Sequence, residues 1–105
     1  MTAPQRQLPP TKPDDRIIGR WAMRDSYGQL LTVWEYKEDG THIFTDPASD
    51  YRRTSGYSVA GDVIHYDGSE AFVILSSTRD SLVVREVRPH EDVEPFTIKL
   101  TRLPE

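Results

Sequence analysis

Gly19-Arg20-Trp21 opens the first alternating segment of the chain, and Phe96-Thr97-Ile98-Lys99-Leu100-Thr101-Arg102 closes the last. Between them the sequence repeats one device, a short run of period two followed by a tight-turn sequence. Successive side chains of a strand point to opposite faces, so period two reads as strand. Ile17, Gly19, Trp21 and Met23 share one face of the first run, and Leu30, Thr32, Trp34 and Tyr36 one face of the second. Asp39-Gly40 then reverses the chain, because glycine accepts the positive φ of a tight hairpin. His42 and Phe44 carry the third run until Asp46-Pro47 stops it. The fourth extends from about Tyr51 to Val59 and turns at Gly61-Asp62; the fifth holds Ile64 and Tyr66 and turns at Asp67-Gly68. Phe72 and Ile74 mark the sixth, and Arg79-Asp80-Ser81 the turn after it. Leu82, Val84 and Glu86 share a face of the seventh, residues 89–95 form the longest late loop, and Phe96, Ile98, Leu100 and Arg102 share a face of the eighth.

No segment carries useful helical periodicity, and no connection is long enough for a crossover helix. Eight hairpin-linked strands therefore predict an all-β domain, a single eight-stranded antiparallel up-and-down barrel. Closure removes the exposed edges that an open sheet would have to guard. The barrel is assigned to residues 16–105. Residues 1–15 precede it as a proline-rich tail with Pro4, Pro9, Pro10 and Pro13. Proline removes backbone donors and favours extended geometry, so this tail is expected to be a disordered arm. Its functional alternative is an arm that pairs with a neighbour or occupies a partner's groove.

Composition bounds the function. A chain of 105 residues holds one modest core. The formal net charge of −4 disfavours nucleic acid and anionic membrane surfaces, both of which need a basic footprint. The chain has no cysteine, which excludes disulfides, thiolate chemistry and Cys-ligated metals. No apolar run approaches the roughly 20 residues of a membrane span. Residues 1–13 lack the apolar core of a secretory signal, so cytoplasmic residence is the default expectation, with a mature secreted form left open.

The same residues carry a family resemblance. Gly19-x-Trp21, the run Trp34-Glu35-Tyr36-Lys37-Glu38-Asp39-Gly40-Thr41, the hairpin Gly56-Tyr57-Ser58-Val59-Ala60-Gly61-Asp62-Val63-Ile64 and the closing strand Phe96–Arg102 stand in the order found in lipocalin-like domains. Over residues 16–103 the chain resembles a short bacterial member of the lipocalin-like, or calycin, group. The resemblance implies that Gly19, Trp21 and Arg102 form the structural closed end, with Trp21 as plug and Arg102 packed across its ring, where a guanidinium gains cation–π attraction. Typical lipocalins are longer, usually secreted, and often carry a disulfide and a helix. The cavity here is accordingly expected to be smaller or filled by side chains.

In such a barrel the connections alternate between ends. The open end would carry the loops at 25–29, 46–50, 67–69 and 88–94, with Met23, Leu30, Thr32, Arg53, Tyr66, Phe72, Glu86 and Phe96 facing inward below them. Buried charge is costly unless paired, so Arg53 and Glu86 are candidates to hold a polar ligand group, or else to pair with each other or reach solvent at the rim. Trp34, Tyr36, Tyr57 and Tyr66, with Phe72, are candidates for an aromatic ligand-binding wall or for plain core. His42 has inward parity just after a closed-end turn, His65 should point outward, and His90 lies in a loop. No two share a spacing suited to one metal, so neither a metal nor a cofactor is expected. No Gly-x-Ser-x-Gly elbow, phosphate loop or His-Glu-x-x-His is present, and enzyme activity is not expected.

Three readings follow. The first is a barrel that takes a small, partly apolar or aromatic ligand at its open end. The second is a filled scaffold that binds or inhibits a protein through its mouth loops or N-terminal arm, a layout resembling bacterial inhibitors of secreted metalloproteases, although their cysteine pair is missing. The third is a homodimer packed through an exposed face of Val33, Ile43 and Val73, as against a monomer.

Overall fold

A computed structural model describes residues 14–87 and 95–104 of the chain. The eight strands are β1 (Gly19–Arg24), β2 (Leu30–Tyr36), β3 (Thr41–Asp46), β4 (Tyr51–Ala60), β5 (Val63–Tyr66), β6 (Ser69–Ser77), β7 (Ser81–Glu86) and β8 (Thr97–Arg102). Each pairs antiparallel with its neighbour in sequence, and β8 returns to β1, so the meander is a closed barrel. No described residue lies in a helix.

The alternation read from the sequence sets the core. Trp21, Trp34, Tyr36, Tyr57, Val59, Ile64, Ile74, Leu82, Val84, Ile98 and Leu100 point inward and are buried. Cross-strand neighbours stack this apolar set in layers, as in Trp21 opposite Trp34, Leu82 opposite Leu100 and Val84 opposite Ile98. A bulge leaves Leu75 between two registers of the β6–β7 ladder, since Ile74 pairs with Val84 and Ser76 with Val83. The bulge explains why Leu75 is exposed although Ile74 beside it is buried.

Three readings of faces need correction. Ile17 does not continue β1. It sits in a turn closed by Ile17 N–H donating to the Asp14 carbonyl at 3.0 Å, and it lies fully buried beneath the barrel. Phe96 precedes β8 and is 53% exposed rather than inward, because the strand parity starts only at Thr97. Ile43 is buried (8% exposed), and Val33 and Val73 are half-buried, so these three do not make the exposed apolar face expected for a homodimer. The described part of the tail, Asp14 and Asp15, belongs to the turn before β1; the other tail residues, His90 and the loop at 88–94 lie outside the described residues.

The length difference between β4 and β5 positions the site. β4 is ten residues long and β5 four. The Asp67-Gly68 turn follows β5 at once, with positive φ at both residues (50° and 88°), the backbone of a tight hairpin. β4 therefore pairs with β5 only from Tyr57 to Ala60, while Tyr51 to Gly56 pair only with β3. Asp67 ends the β4–β5 ladder: its N–H donates to the Gly56 carbonyl at 2.9 Å, and its carboxylate accepts from Gly56 N–H at 2.8 Å. Beyond Gly56 the barrel wall is low on one flank.

Candidate functional site

A cavity of about 240 Å³ opens beside this low wall. Trp34 from β2, His42 and Phe44 from β3, Tyr51, Arg53 and Ser55 from β4, Tyr66 from β5 and Phe72 from β6 line it. Register brings them together: Trp34 pairs with Phe44, His42 with Ser55, Phe44 with Arg53, and Phe72 lies one strand beyond Tyr66. The walls are aromatic rings at varied tilts. Trp34 meets Phe72 at 5.3 Å between centroids and Phe44 at 6.3 Å, and Tyr66 meets Phe72 edge-on at 6.0 Å.

His42 is the polar group of the cavity floor. Its ring stacks on Tyr36 and on Tyr66, at 4.5 Å between centroids in both cases. Nδ1 lies 3.1 Å from the Glu35 carbonyl. A carbonyl can only accept, so the proton of neutral His42 sits on Nδ1 and Nε2 keeps its lone pair. Burial pushes the His42 pKa down to about 4; the Glu35 hydrogen bond opposes this, and the nearby Arg53 charge adds to it. At neutral pH His42 is an uncharged hydrogen-bond acceptor. Below it the Tyr36 and Tyr66 hydroxyls share a hydrogen bond of 2.6 Å, and burial raises both phenols above their ordinary pKa.

Arg53 stands at the rim, exposed on its outer side, with no hydrogen bond or ion pair among the described residues. Ser55 is buried on the same wall. The cavity thus combines aromatic sides, a neutral acceptor at depth and a free guanidinium at the mouth.

Of the ligand-binding residues read from the sequence, Trp34, Arg53, Tyr66 and Phe72 line the cavity. Tyr36 lies beneath it and supports His42. Tyr57 is lower still, its hydroxyl donating to the Lys37 carbonyl at 2.7 Å. Glu86 pairs across the ladder with Phe72 but does not line the cavity, and it makes no ion pair with Arg53 among the described residues. His42, Phe44, Tyr51 and Ser55 were missed as lining residues. Inward parity on β3 and β4 is the sequence signal for them, and the position of His42 just after a closed-end turn masks it. The low wall beside β5 is what admits the cavity to that depth.

The opposite end is built otherwise. The Arg102 guanidinium lies over the Trp21 ring, 4.3 Å from its centroid. Its Nη1 donates to the Ile18 carbonyl at 3.0 Å and its Nε to the Arg79 carbonyl. Trp21 Nε1 donates to the Ile17 carbonyl at 2.9 Å. Gly19 has a φ of 135°, and a Cβ placed there would run into Arg102 Nη1. Arg16 anchors the preceding turn by ion pairs of 2.8 Å to both Asp14 and Asp62. Among the described residues no group of three or more His, Asp or Glu side chains could hold a metal ion, and no helix is long and apolar enough to cross a membrane. No protein-family model matches the chain and no curated protein is similar to it, so the chemistry of the site itself carries the functional reading.

Proposed function

We propose that this protein is a barrel of the short bacterial lipocalin-like kind that binds one small, partly apolar molecule in the cavity beside β4 and β5. The observation that carries this reading is the cavity of about 240 Å³ walled by Trp34, Phe44, Tyr66 and Phe72. Its size falls between an engineered apolar cavity of about 150 Å³ that takes benzene and the roughly 300–1,000 Å³ of sites for drug-sized ligands. A molecule of one or two rings fits that interval. An apolar enclosure with a few placed polar groups is the usual make-up of a small-molecule site. The cavity also favours this reading over a filled scaffold that acts through its surface alone.

The test is a comparison of native and denatured masses for protein purified gently from its own source. A retained mass of one or two hundred daltons, released on unfolding and lost when Phe72→Trp fills the cavity, is the expected result. A bare polypeptide mass, together with no calorimetric heat of binding on adding millimolar indole or toluene, would overturn the reading.

A further inference from the structure

We infer that the cavity selects a small planar aromatic acid bearing an O–H or N–H donor, with its carboxylate held by Arg53 at the rim and its donor by His42 Nε2 on the floor. This rests on the small-molecule reading above and assigns the chemical class of the ligand.

Three features of the site converge on that class. The first is the bare nitrogen. His42 gives its only proton to the Glu35 carbonyl through Nδ1, and Nε2 has no hydrogen-bond partner among the described residues. Stacking on Tyr36 and Tyr66 holds the plane of the ring, and a half-turn that offered its N–H to the cavity would lose the Glu35 bond. A lone pair fixed in this way repels carboxylate oxygens and attracts a donor.

The second feature is the free guanidinium. Arg53 lines the same cavity and has no acidic partner among the described residues; the ion pairs described there are those of Arg16 with Asp14 and Asp62. The inward carboxylate that could have neutralised it, Glu86, lies outside the lining. A guanidinium forks to a carboxylate with two parallel hydrogen bonds and does so best where aromatic walls reduce competing water.

The third is the shape of what lies between. Trp34, Phe44 and Phe72 offer ring faces and edges to a flat body, a geometry worth more than its buried area alone. His42 and Arg53 sit on neighbouring strands, β3 and β4, two residue pairs apart in register, since His42 pairs with Ser55, Ile43 with Thr54 and Phe44 with Arg53. A ligand that satisfies both therefore carries its acid and its donor on one short aromatic frame.

Three probes that share a ring separate the contributions: 4-hydroxyphenylacetate, phenylacetate, which lacks the donor, and 4-methylphenol, which lacks the acid. Binding to the full chain is read by calorimetry at pH 7. The expected result is that 4-hydroxyphenylacetate binds at least about tenfold more tightly than either truncated probe, the worth of one hydrogen bond to a charged or buried group. Arg53→Gln abolishes the preference over 4-methylphenol, and His42→Phe, which keeps the stack, abolishes the preference over phenylacetate. Arg53 is exposed and unpartnered, so its variant folds even if the His42 variant does not. Equal binding of all three probes overturns the inference and leaves the small-molecule reading standing. Failure of all three alongside binding of toluene or indole does the same, whereas failure of every probe together with a bare polypeptide mass removes both.

Discussion

Arg102 and Arg53 occupy the two ends of one barrel, and their surroundings differ in every respect. Arg102 covers Trp21, donates to the carbonyls of Ile18 and Arg79, and occupies the space that a side chain at Gly19 would need. Its backbone N–H donates to the Asp80 carbonyl at 2.9 Å, and Leu103 N–H reaches the Arg20 carbonyl at 2.8 Å. The bonds to Ile18 and Arg20 fasten β8 to β1, where the seam has only two residue pairs, Trp21 with Arg102 and Ala22 with Thr101, and those to Arg79 and Asp80 tie β8 to the β6–β7 turn. Arg53 touches an open cavity and is fastened to nothing described. One end is saturated with internal partners, and the other keeps its polar groups unspent. A barrel that is stabilised at one end can leave the opposite flank incomplete, and an incomplete flank leaves room for the proposed ligand.

The largest effect should come from removing the plug. Trp21→Ala deletes a fully buried indole, its hydrogen bond to Ile17 and the surface on which Arg102 lies. Such truncations cost about 3–5 kcal/mol, against a total of about 5–15 kcal/mol for a domain of this kind. Urea denaturation should show a midpoint lowered by about a fifth or more of its wild-type value, with the slope unchanged. A loss under about 1 kcal/mol would mean that the closed end is not where the barrel is held.

Next in size is a pH effect from the open flank. His42 has a pKa of about 4 in the folded barrel and 6.5 as its ordinary value. Between those values the unfolded chain binds a proton that the folded chain refuses, so stability falls as pH drops through that window. The slope is up to about 1.4 kcal/mol per pH unit, or roughly 3 kcal/mol across the window, and the contribution is constant above and below it. Carboxylates titrate at the acid end as well, so the measure is the difference between wild type and His42→Phe in denaturation midpoints from pH 4.5 to 7. The variant should lose most of the slope above pH 5; equal slopes would show that His42 protonates freely in the folded state.

Gly19→Ala tests the closed end more gently. Alanine at a φ of 135° is strained, and its Cβ displaces the Arg102 guanidinium. A cost of about 1–3 kcal/mol is expected, visible as a lowered melting temperature without loss of the barrel's circular dichroism.

The closed end and the cavity were not equally legible in the sequence. Period-two alternation and the dipeptides Asp39-Gly40, Gly61-Asp62 and Asp67-Gly68 mark strands and turns by local chemistry, and local chemistry suffices for a meander in which every strand pairs with its sequence neighbour. The cavity depends on a comparison between strands. The turn signals flanking β5 stand close together and those flanking β4 far apart, and only their difference lowers the wall. Parity assigns a side chain to a face but not to a height, so His42 reads as closed-end core although the low flank exposes its ring to the cavity. Ile17 shows the same limit from the other side. Its parity matches β1, but the Asp14 carboxylate, accepting from Arg16 N–H at 2.8 Å, bends the chain into a turn before the strand begins.

Arg53→Gln should have the smallest effect on stability, and its direction is informative. The side chain is exposed and has no described partner, so the change should stay within about 0.5 kcal/mol at pH 7; Arg102→Gln, which strands two carbonyls and an indole face, should cost several times more. Arg53 still acts on the site through its field, because its charge is one of the causes that hold the His42 pKa down, a lesser one than burial. Removing that charge makes the imidazolium easier to form, so the His42 pKa should rise modestly in the variant. The acid-sensitive window then narrows from its lower end, and the variant should be slightly more stable than wild type near pH 4.5 while matching it at pH 7. An NMR titration of the His42 ring protons reads this directly. An unmoved pKa would place the guanidinium too far from the imidazole for one ligand to bridge them, whereas an upward shift would show that rim and floor act on the same enclosed space.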